Sequence, residues 1–114
     1  MVNRSIAIEQ IYRLLADLVE QGYQPTKACL FGSVATGTQH AYSDIDLAVW
    51  DGRFTGCLTI DYEPIKRILS QYPLIELHTF SSTDDKKSNP WAAEILAHGI
   101  PLDIKMVRRK KITA

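Results

Sequence analysis

The segment Leu30-Phe-Gly-Ser-Val-Ala-Thr-Gly37, followed closely by Ser43-Asp-Ile-Asp-Leu47, constrains this chain more than any other. An apolar run ends at a glycine-serine turn. A second apolar run then opens with aspartates at alternate positions. Alternate residues of a strand share a face, so Asp44 and Asp46 point the same way as Ala48, roughly 7 Å apart along the backbone. Ile45, Leu47 and Val49 point the other way, into a core. A turn with free backbone N–H groups holds phosphate oxygens. Hard carboxylate oxygens gathered on one face suit Mg²⁺. The pattern reads as a site for a metal-bound nucleoside triphosphate.

Periodicity places the other elements. Ile8, Ile11, Tyr12, Leu15, Leu18 and Val19 recur at three- and four-residue spacing, which predicts a helix from Ser5 to Gln21 stopped by Gly22. Ala28 to Phe31 and Asp44 to Trp50 read as strands, the second ending at the Asp51-Gly52 turn. Ile60 to Leu69 reads as a helix with Ile65, Ile68 and Leu69 inward, and Leu74 to Phe80 as a third strand. Asn89-Pro90 is a cap followed by proline at the first helical position, so a last helix runs to about His98 and closes at Gly99. Pro101 to Val107 reads as a short edge strand. The first two strands pair antiparallel across the glycine loop. The second and third, joined by a helix, run parallel. The expected fold is α/β: a mixed three- to four-stranded sheet with helices packed on one side.

Composition narrows the class. At 114 residues, the chain is expected to form a single domain over residues 1–114. Thirteen basic residues balance thirteen acidic ones, which argues against direct nucleic-acid binding. The cationic run from Arg108 to Lys111 is expected to be a solvated end. Cys29 and Cys57 lack metal-ligand spacing, which fits a reducing, cytoplasmic setting. Glu9, Arg13 and Asp17 interrupt the first helix, so neither a signal peptide nor a membrane span is expected.

Phosphoryl and nucleotidyl transfer need charge neutralisation more than covalent catalysis. Asp44 and Asp46 are placed to share two metal ions. Gly32 permits close backbone approach, and Ser33 offers a hydroxyl and an N–H to phosphate. Gly37 and Ser43 complete the expected nucleotide-binding set. No lysine follows Gly37, so this is not a Walker A loop, and the glycine spacing fails the Rossmann pattern.

A third carboxylate is expected from Asp61, Glu76 or Asp103. Glu76 is the choice, because it lies mid-strand between Ile75 and Leu77, where an unpaired carboxylate is costly. It is also the expected general base. Asp61 reads as a helix-start residue. His78 shares the face of Glu76, which places it to touch a ligand, but it reads first as a hydrogen-bonded structural histidine. His40 reads as a solvated loop residue. Trp50 and Trp91 read as core or interface residues.

These motifs resemble the nucleotidyltransferases of the DNA polymerase beta superfamily, and most closely its minimal single-domain members. The resemblance runs from Lys27 to Leu102. It implies a polymerase-beta-like fold, Mg²⁺ on Asp44 and Asp46, triphosphate contact by Ser33, and Glu76 in the third acidic position. Two departures stand out: Thr36 where many relatives carry arginine, and Glu76 where aspartate is usual. Many minimal members pair, as antitoxin, with a helical HEPN-type toxin and add AMP to it.

Three functions follow as expectations. The first is Mg²⁺-dependent transfer of AMP from ATP (or another NTP) to a hydroxyl of a partner protein. The second is an antitoxin acting by binding alone. The third is a small-molecule, antibiotic-type nucleotidyltransferase whose pocket is completed in a homo-oligomer.

Overall fold

The computed structural model describes residues 3–37, 44–85 and 87–107. Ser43, His40 and the basic run from Arg108 to Lys111 lie outside the described residues. Helix α1 (Arg4–Glu20) starts where the Asn3 side chain accepts the Ile6 N–H at 2.9 Å. Its stripe of Ala7, Ile11, Leu14, Leu15 and Leu18 is completely buried.

Three main strands follow: β1 (Pro25–Phe31), β2 (Ile45–Asp51) and β3 (Ile75–Ser81). A two-residue strand, β4 (Ile100–Pro101), completes a four-stranded sheet of order β3-β2-β1-β4. β1 and β2 are antiparallel, with Leu30 opposite Leu47 and Phe31 opposite Asp46. β2 and β3 are parallel, with Asp46 opposite Glu76 and Ala48 opposite His78. The α/β class and the mixed sheet are those expected.

Alternation divides the side chains between two faces. Ala28, Leu30, Ile45, Leu47, Val49, Ile75 and Leu77 join the buried stripe of α1 in the main core. Cys29, Ala48, Trp50 and Phe80 point the other way and carry a second cluster. Trp50 and Phe80 stack there with ring centroids 4.7 Å apart. Helix α5 (Pro90–His98) covers that cluster with Ala92 and Ile95. Helices therefore flank both faces, which corrects the one-sided packing expected. The second face is apolar towards the C-terminal ends of β2 and β3, and apolar surface must be covered. At the N-terminal ends of those strands it carries Asp46 and Glu76 instead.

Two further elements depart from expectation. The helix expected from Ile60 to Leu69 is broken into α3 (Leu58–Tyr62), a tighter turn (Glu63–Ile65) and α4 (Lys66–Leu69). Pro64 lacks an N–H and crowds the preceding turn, which ends α3. The edge strand expected up to Val107 stops at Pro101, and residues 104–107 are helical. The Asp103 carboxylate accepts the Lys105 N–H at 3.0 Å, which starts that turn, and Val107 enters the core.

Candidate active site

After Phe31 the chain turns into a five-residue helix, α2 (Gly32–Thr36). Gly32 opens it at φ +77, a left-handed conformation that a side chain disfavours. A Cβ on Gly32 would collide with the Asp46 carboxylate. The glycine-serine turn and the strand aspartate are therefore immediate neighbours. Gly37 ends α2, also left-handed at φ +78. Its N–H turns back to the Val34 carbonyl at 3.4 Å, so it caps the helix at the end away from Asp46.

The parallel register sets Glu76 beside Asp46. His78, two residues on along the same face, turns its ring towards both. Its Nε2 lies 3.6 Å from Asp46 Oδ1 and 3.9 Å from Glu76 Oε1. One ligand atom from each of the three residues lies within 4.8 Å of the others. The Asp46 side chain is 25% exposed and that of Glu76 55%, so the cluster opens to solvent through Glu76. Asp44 precedes β2 and is exposed.

Burial pushes the Asp46 carboxyl above its ordinary range, and the Glu76 charge adds to that. His78 opposes the rise, while Asp44 contributes to it. A second observation points the same way. His78 Nε2 is buried with no hydrogen-bond partner. Buried polar atoms are nearly always paired, and an unpaired one is explained by strain, a catalytic role, a water or an ion. Converging acceptor atoms with an orphaned nitrogen among them fit a divalent cation.

A model of the nucleotidyltransferase domain family matches residues 11–89, from the middle of α1 to the residue before α5. The chain belongs to the nucleotidyltransferase domain family. No curated protein matches it. The matched span of this nucleotidyltransferase contains Gly32, Ser33, Asp44, Asp46, Glu76 and His78.

Of the three acids considered for the third position, Glu76 alone shares the face of Asp46. Asp61 is buried on the other side of the sheet. Its carboxylate accepts the Thr55 N–H at 2.9 Å, the Gly56 N–H at 3.1 Å and the Thr79 hydroxyl at 2.8 Å. Burial works against its charge, but these hydrogen bonds outweigh it and hold its pKa low. Asp103 caps residues 104–107. Thr36, at the position where many relatives carry arginine, donates its hydroxyl back to the Ser33 carbonyl at 3.2 Å.

Sequence reasoning underrated two residues of the nucleotidyltransferase. For His78 the sequence ranks the structural reading above ligand contact, yet its Nε2 lies 3.6 and 3.9 Å from two carboxylates, beyond hydrogen-bond length. The signal was present: a position two beyond Glu76 shares its face. Trp91, expected in a core or interface, is half exposed at the start of α5. It stands edge-on to His78 with centroids 5.1 Å apart, and Phe31 meets His78 at 5.1 Å from another side.

Among the described residues, no helix is long and apolar enough to cross a membrane.

Proposed function

We propose that this nucleotidyltransferase transfers AMP from ATP to a hydroxyl of a partner protein, and that the partner is a helical HEPN-type toxin. The observation that carries the reading is the meeting of Gly32, Asp46 and Glu76 at one end of the sheet. The resemblance to minimal members supports the choice of acceptor. So does the openness of the cluster, with Glu76 more than half exposed: an acceptor that presents its own surface reaches it.

In the transfer, the acceptor oxygen bonds to the α-phosphorus of ATP. The bond from that phosphorus to the bridging oxygen breaks, and pyrophosphate leaves. Glu76 takes the proton of the acceptor hydroxyl. The backbone at Gly32 and Ser33 holds phosphate oxygens. Asp44, Asp46 and Glu76 are the residues that would hold Mg²⁺, which supplies neutralisation of the triphosphate charge.

The test is incubation with α-labelled ATP, Mg²⁺ and a candidate helical partner. Label is expected on the partner, and Asp46→Asn is expected to lower it by about 100-fold or more. Label found on no protein, or unaffected by Asp44→Asn combined with Asp46→Asn, removes the reading.

A further inference from the structure

His78 Nε2 lies within ion-pair reach of both carboxylates, at 3.6 and 3.9 Å, longer than an ordinary hydrogen bond. It stands too near for a bridging water, which with two hydrogen bonds of about 2.8 Å at a tetrahedral angle sets the groups it joins about 4.5 Å apart. Atoms that share one cation at about 2.1 Å lie roughly 3–4 Å apart. The two separations at His78 fall in that range. Phe31 and Trp91 flank the ring edge-on and steady it in this direction.

We propose that the cation between Asp46 and Glu76 takes His78 Nε2 as a third, nitrogen ligand, so that this site prefers first-row transition metals such as Mn²⁺ over Mg²⁺. The proposal rests on the transfer site described above and specifies which cation that site accepts. Mg²⁺ demands oxygen donors and keeps its water, whereas imidazole suits the transition metals. Every all-oxygen site favours Mn²⁺ somewhat, so the diagnostic quantity is the change in preference when the nitrogen is removed.

The experiment titrates the purified protein with Mn²⁺, following free Mn²⁺ by electron paramagnetic resonance, with Mg²⁺ as competitor. His78→Asn is expected to weaken Mn²⁺ binding by at least about tenfold and Mg²⁺ binding by much less. His98→Asn, on an exposed turn of α5, is expected to change neither. Spin-echo spectra of the Mn²⁺-loaded wild-type protein are expected to show ¹⁴N modulation from a directly bound nitrogen, a signature that needs no variant to fold. Absence of that modulation, or equal weakening of both ions in His78→Asn, overturns the proposal. Label transfer that survives such a result leaves the proposed function standing. Nitrogen modulation in a protein that transfers no label supports the metal site and counts against the proposed function.

Discussion

The Asp46 carboxylate occupies the space in which a Cβ on Gly32 would have to stand. Two segments that are separate in sequence thus share one small volume. The fold achieves this by setting Phe31 opposite Asp46 in the antiparallel pair and turning the chain at the next residue. The carboxylate that repels Glu76 is thereby set beside the backbone proposed to receive phosphate.

Gly32→Ala is expected to act on both stability and activity. The left-handed backbone and the collision with Asp46 together cost about 1–3 kcal/mol. Relief comes by pushing the carboxylate aside, and a displacement of about 1 Å lowers transfer about 100-fold. Urea denaturation and label transfer measure the two effects. A variant with wild-type stability and activity contradicts the contact.

Asp46→Asn is expected to abolish label transfer without destabilising the metal-free protein. Asparagine removes a charge that is both partly desolvated and repelled by Glu76. Stability is expected to stay level or rise, because burial and the Glu76 charge outweigh the opposing attraction of His78. Thermal melts in chelator check it. A large loss of stability would mean that Asp46 serves the fold rather than the site.

Asp61→Asn is expected to destabilise by about 2–4 kcal/mol at neutral pH, because hydrogen bonds to a buried carboxylate are lost together. The sign with pH follows from its lowered pKa. Its stabilisation is present above the ordinary carboxylate value of about 3.9 and is lost as pH falls through the lower folded value. Wild type and variant therefore converge in acid. Denaturation midpoints at neutral pH and near pH 3 provide the comparison.

Tyr72 gives the opposite sign. Its hydroxyl donates to Asp17 Oδ2 at 2.6 Å, and burial together with this bond pushes its pKa up to about 12. The stabilisation is complete below the ordinary value of about 10 and is lost as pH rises through about 12. Tyr72→Phe is expected to cost about 1–2 kcal/mol at neutral pH and to lack that alkaline loss. Unfolding followed by circular dichroism from neutral pH to pH 12 separates the two proteins.

Much of the site was legible because its information is local. The alternation Asp46, Ala48, Trp50 against Ile45, Leu47, Val49 assigns faces without reference to any neighbour. The Asn89-Pro90 cap is equally local: Asn89 accepts the Trp91 and Ala92 N–H groups at 3.0 and 3.1 Å, as that pair predicts. The break at Pro64 was also local, but the apolar spacing of Ile65, Ile68 and Leu69 masked it.

By itself the chain determined which residues line each strand face, where helices begin, and that a glycine-serine turn precedes alternating acids. Those properties depend on bond geometry and on side chains a few positions apart. Only the tertiary structure decided that α5 covers the Trp50 and Phe80 face, that Asp61 is spent on Thr55 and Thr79, and that His78 Nε2 faces two carboxylates with no hydrogen-bond partner of its own. Each of these depends on which distant groups arrive at the same place. Packing of the whole chain sets that, and periodicity does not encode it.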